Sequence, residues 1–210
     1  MRKIPENPVD RDYSPFCDKG ACYTTGYVSL PTGVELLSVT FSPPEPAGMP
    51  VILFVPGFVS LIDNFRETMI ELTRSHTLVY VETREKSTAR ISPDHGFSVD
   101  EITSDIVHFA ELMIPEGSQY VMAGYSLGAT VIAEAFPRLH RKPEAVILLE
   151  PNTSFPFNGL AMVLARLARY LYRPVVPFVK WYLRTFMIDL KSDEEMYLIN
   201  CRNLDTAEPV

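Results

Sequence analysis

Four short apolar runs govern what this chain can fold into: VILFV at 51–55, TLVYV at 77–81, QYVMA at 119–123 and AVILL at 145–149. Runs of this length, apolar at consecutive positions, fit strands buried on both faces. Helical patterns separate them. Phe65, Met69 and Leu72 recur at i, i+4, i+7, with Asp63 placed to cap that helix. Ser98 and Glu101 form a capping-box pattern ahead of a stripe of Ile102, Ile106, Phe109 and Met113. A third helix runs from Leu127 to Phe136 and stops at Pro137. Strand and helix thus alternate from Val51 to Glu150, which predicts a parallel sheet with right-handed crossover helices on both faces. In such a sheet, function gathers at the edge where the strands end. Upstream, GYVSL and VELLSVTFS flank the turn signal PTG and read as a hairpin.

These patterns divide the chain into residues 1–25, polar, irregular and expected at the surface; a core over 26–152; a helical segment over 153–192; and a short remainder over 193–210. The helical segment is broken at Pro174 and Pro177. It carries Arg166, Arg169, Arg173, Lys180 and Arg184 against the single acid Asp189. At 210 residues and 47% hydrophobic, the chain has enough apolar mass for one well-buried core. A net charge of −7 opposes nucleic-acid binding, which needs a basic face. The first residues, MRKIPENPVDRDY, lack the apolar stretch of a secretory leader, and no uncharged run approaches the roughly 20 residues of a membrane span. The expected address is cytoplasmic. Cys17, Cys22 and Cys201 make an odd set, read as free thiols. No second ligand pair accompanies Cys17 and Cys22, so neither a metal nor a cofactor is expected.

One pentapeptide carries chemistry. Gly124-Tyr125-Ser126-Leu127-Gly128 has the form G-x-S-x-G and sits at a predicted strand-to-helix junction. A turn that tight strains the serine backbone, and side chains two positions either side would clash, so glycine is required there. The helix start offers the Leu127 N–H and a partial positive charge to a developing oxyanion. A second donor is available in FVPGFVS, where Pro56-Gly57 turns the chain over the sheet edge and exposes the Phe58 N–H. The competing reading of each motif is an ordinary tight turn.

VILFVPGF and VMAGYSLGA, in this order and with these elements between them, resemble the oxyanion turn and nucleophile elbow of the α/β-hydrolase superfamily. The likeness extends from about Gly26 to Asn152, with Pro56 in place of the family's usual histidine. It implies an α/β fold, a mostly parallel doubly wound sheet with a helical cap over 153–192. It also implies a serine hydrolase that acts on an ester, thioester or amide through an acyl-enzyme at Ser126. The family also places an acid and a histidine after the serine. Of the histidines, His76, His95, His108 and His140, only His140 follows Ser126, and the intervening helix carries it about 15 Å toward the opposite edge. His95, in the loop SPDHGFS, lies at the correct edge as a possible base, and Glu150 closes the last strand as a possible acid. The family fold requires about 60–80 further residues after the cap, so the fold is expected to be incomplete at the C-terminus. The chain then reads as part of a longer hydrolase, as a non-catalytic binding or scaffold relative, or as one completed by another chain. The basic cap reads as a lid lining a pocket for a small acyl-bearing substrate, with an anionic membrane surface or a dimer surface as the alternative readings, and a second copy is expected at an open sheet edge.

Overall fold

The computed structural model describes residues 7–45, 48–58, 60–92, 94–152, 176–178, 180–181 and 184–185. The chain divides into two units, Met1–Thr153 and Ser154–Val210. In the second, the rings of Phe178 and Trp181 pack 5.5 Å apart. Cys201, the arginines at 166, 169 and 173, and nearly all of the predicted cap and the remainder after it lie outside the described residues.

The first unit is built on a six-stranded sheet. Strands β1 (Cys22–Ser29) and β2 (Glu35–Ser42) form the predicted hairpin, turning at Gly33 with φ +81°. Then follow β3 (Val51–Val55), β4 (Leu78–Val81), β5 (Tyr120–Tyr125) and β6 (Ala145–Leu149). The order across the sheet is β1-β2-β4-β3-β5-β6, antiparallel from β1 to β4 and parallel from β4 to β6. The consecutive apolar residues divide strictly by parity. Leu53, Val55, Val79, Val81 and Met122 enter one core, while Ile52, Phe54, Leu78, Tyr80 and Ala123 enter the other. Helices α2 (Val99–Met113) and α3 (Leu127–Ala135) cover the first face, and α1 (Arg66–Leu72) covers the second through Met69. Ile106 and Phe109 of α2 are fully buried, worth about 1.5–3 kcal/mol each in removed apolar surface.

The predicted capping box forms. The Glu101 N–H donates to Ser98 Oγ, and the Glu101 carboxylate accepts from the N–H groups of Ser98 and Gly96. Asp63 does not cap α1. It lies inside the 3-10 turn Ile62–Phe65 and pairs with Arg11 at 2.5 Å, because that guanidinium offers a charged, two-pronged partner. The reading of residues 1–25 as a surface segment is also corrected. β1 starts at Cys22, where aromatic and β-branched residues favour extension, and Tyr13 and Phe16 are buried in the second core. Arg84, just past β4, grips Asp105 of α2 with two hydrogen bonds of 2.6 and 2.7 Å. Thr32 of the hairpin turn donates to the same carboxylate at 2.7 Å, so one buried ion pair joins three elements.

β3 is the central reversal. Its successor β4 lies on one side of it and β5 on the other. This is a topological switch point, where the connections leaving two adjacent strands diverge and open a crevice at their carboxyl ends. Gly57 follows β3 and Ser126 follows β5, so both residues sit at the mouth of that crevice.

Candidate active site

Ser126 joins β5 to α3 with φ +52° and ψ −115°, a backbone state that side-chain-bearing residues rarely enter. Neighbouring hydrogen bonds hold it there. Its N–H donates to the Leu149 carbonyl at 2.9 Å, and its carbonyl accepts the first helical bond from Thr130 at 3.1 Å. The two glycines of the motif are demanded by contact. A Cβ on Gly124 would lie 2.7 Å from the Ala129 nitrogen, and one on Gly128 would run into the Val55 carbonyl oxygen. The elbow therefore packs against the end of β3, and sequence explains why: only glycine lets the helix start approach that carbonyl.

The β3 turn closes on the serine from the other side. A Cβ on Gly57 would lie 3.0 Å from Ser126 Cβ and 3.2 Å from the Tyr125 carbonyl oxygen. Phe58 is exposed at the turn, whereas Leu127 is buried at the first position of α3. An N–H at that first position has no partner within its own helix. The structure thus brings the Gly57–Phe58 turn and the Ser126–Leu127 elbow together.

Asn152 is the residue that sequence reading missed. Its Nδ2 donates to Ser126 Oγ at 3.3 Å, and among the described residues it is the hydroxyl's one hydrogen-bond partner. Thr130, on the first turn of α3, sets it in place. The Thr130 hydroxyl donates to the Asn152 carbonyl at 2.8 Å and accepts from the Asn152 N–H at 3.2 Å. The available signal was a polar residue just past a strand that ends beside the elbow.

Glu150 lies at the same edge, also with positive φ (+51°). Its carboxylate lies beside the Tyr125 hydroxyl, and its acceptor oxygens and its charge raise the Tyr125 pKa. It reaches the residue beside the nucleophile candidate, not the serine hydroxyl. His95 is not brought to Ser126. Its Nε2 donates to the Thr32 carbonyl at 2.9 Å, in the β1–β2 turn. β2 is three strand spacings from β5 in the sheet order, about 14 Å. The remaining histidines are also elsewhere. His76 contacts Ser75, His108 lies on α2, and the side chain of His140 is 90% exposed beside Glu111. Among the described residues, no three His, Cys, Asp or Glu side chains cluster as metal ligands, and Cys17 and Cys22 are free. No described helix is long and apolar enough to cross a membrane.

No family model and no curated protein matches this sequence. Solved structures do. A hydrolase from Pseudomonas aeruginosa PA01 superposes with a TM-score of 0.64 at 13% identity, over 88% of this chain and 68% of its own. An epoxide hydrolase from Vigna radiata gives 0.62 at 16% identity, over 87% and 67% respectively. A deformylase from Pseudomonas putida S16 gives 0.56 at 15% identity, over 89% and 75%. Sheet order, the strained elbow and these likenesses agree: this chain has the α/β-hydrolase fold.

Proposed function

We propose that this chain carries the nucleophile and oxyanion turn of a serine hydrolase acting on a carboxylic ester, thioester or amide. Ser126 Oγ bonds to the acyl carbon. The N–H groups of Phe58 and Leu127 take up the negative charge that gathers on the carbonyl oxygen. Collapse of that intermediate breaks the bond to the leaving group, which departs with a proton, and water then releases the acyl group. Asn152 holds the hydroxyl before reaction. The observation that carries this reading is the strained serine at φ +52°, seated against the Gly57 turn at the sheet's switch point. Strain of this kind costs about 1–3 kcal/mol and persists where the surroundings impose it.

All four histidines are described, and none faces Ser126. Without a histidine on Ser126 among the described residues, slow acylation is expected. The same observation favours a second reading, an acyl-binding protein that does not turn over. Incubation with a fluorophosphonate followed by peptide mass mapping separates the two. A phosphonyl adduct on Ser126, absent from Ser126→Ala, is the expected result. No adduct, with an acyl ligand held equally by both proteins, would establish the binding reading instead.

A further inference from the structure

Lys86 sits in the loop after β4, with its side chain 5% exposed. Its Nζ donates to the Gly57 carbonyl at 2.7 Å and to the Phe58 carbonyl at 2.9 Å. Glu85 Oε1 lies 3.6 Å away. Glu82 is buried nearby, its carboxyl pKa raised by burial and drawn back by the charge of Lys86 and by the Thr88 hydroxyl. A buried ammonium is costly to desolvate, and this one directs two of its donors at a single turn.

Among the described residues every peptide bond is trans. In a trans peptide the carbonyl of one residue and the N–H of the next point in opposite directions. Whatever fixes the Gly57 carbonyl therefore fixes the Phe58 N–H on the other side of that peptide. Among the described residues two donors hold this carbonyl, Lys86 Nζ and the Ser60 N–H at 3.2 Å. The Ser60 bond is long and exists only while the turn is closed. Lys86 is anchored independently, in the loop after β4. A cation on the carbonyl also withdraws electron density from the peptide, which makes its N–H a stronger donor.

We infer that Lys86 is a positioning residue for the oxyanion turn, orienting and polarising the Gly57–Phe58 peptide so that the Phe58 N–H is preset for the developing oxyanion. It touches neither substrate nor Ser126 and acts through that peptide. The inference rests on the serine-hydrolase reading above.

The test combines phosphonylation kinetics of Ser126 with the residual dipolar coupling of the Phe58 amide. Both are measured on wild type, Lys86→Met and the double variant Lys86→Met/Glu82→Gln. The double variant removes one of the two carboxylates beside Lys86, Glu85 being the other, and so provides a second, less strained comparison if the single variant is unstable. Expected are a fall in the maximal labelling rate of about tenfold or more, an unchanged inhibitor KI, native circular dichroism and an altered Phe58 coupling. Labelling in wild type with an undiminished maximal rate in the folded variants overturns the role of Lys86. So does a rise in KI alone, which would mean packing of the ligand. If wild type is not labelled, the hydrolase reading is what fails. The Phe58 coupling then decides Lys86 by itself, and an unchanged value overturns it.

Discussion

Ser126 is held in a backbone state that glycine enters freely and serine does not. If function rather than folding retains the serine, glycine is the better residue for stability there. Ser126→Gly should exceed Ser126→Ala in unfolding free energy by about 1 kcal/mol or more, measured by urea titration. Equal stabilities would mean that the elbow relaxes and stores no strain. The residues of the elbow were legible in the sequence because steric exclusion is local: Gly124 and Gly128 are set by atoms within a few residues and by one crossing strand. Asn152 was not legible, because its approach to Ser126 depends on Thr130, a partner 22 positions away that no periodicity announces. Glu150 drew attention as the charged residue at the strand end. Its actual partner, Tyr125, is set by the pairing of β5 with β6.

At the scale of elements, α2 shows what a local signal can carry. Its capping box was readable from Ser98 and Glu101 because the donors and acceptors lie within one turn. Ser98→Ala should cost about 1 kcal/mol at neutral pH. The pH dependence follows from Glu101, whose carboxyl is held below the usual range first by the Ser98 hydroxyl, then by the backbone N–H groups of Ser98 and Gly96. A carboxylate with a depressed folded-state pKa contributes stability above its unfolded pKa and loses it as pH falls through the folded value. The gap between wild type and Ser98→Ala should therefore be widest at neutral pH and narrow in acid below about pH 4, read from urea midpoints across that range. A constant gap would place the stabilisation in the Ser98 hydroxyl alone. The N-terminal turns are the contrary case. Tyr13 and Phe16 enter the core from a segment with no repeating pattern, and are held by Arg11 and the aromatic rings of the second core. Burial of that kind is decided by tertiary contact and leaves no local trace.

For the molecule as a whole, the alternation of strands and helices indicated a parallel sheet, while an open edge was expected from the family resemblance, which implied strands missing after the cap. Toward the β4 side the sheet is sealed on both faces: Leu53, Val55, Tyr80 and Val81 are all but inaccessible. Toward β6 it is open among the described residues. Among the described residues β6 has one neighbour, β5, and Ile147, Leu148 and Leu149 are 48%, 39% and 43% exposed. Val146 packs with the α2–α3 core, so Ile147 and Leu149, on the opposite face by strand parity, point to the side where no described helix covers them. Apolar side chains on a strand with a free hydrogen-bonding edge favour pairing with another such strand. The expected outcome is concentration-dependent self-association at this edge, seen by sedimentation velocity. Ile147→Lys should weaken it about tenfold, equivalent to about 1.4 kcal/mol. Because Ile147 is half exposed already, the same substitution should leave the thermal midpoint within a few degrees of wild type. If association persists unchanged in Ile147→Lys, the contact lies elsewhere. If the midpoint collapses, Ile147 is packed within its own chain, and β6 is not the open edge that its exposure indicates.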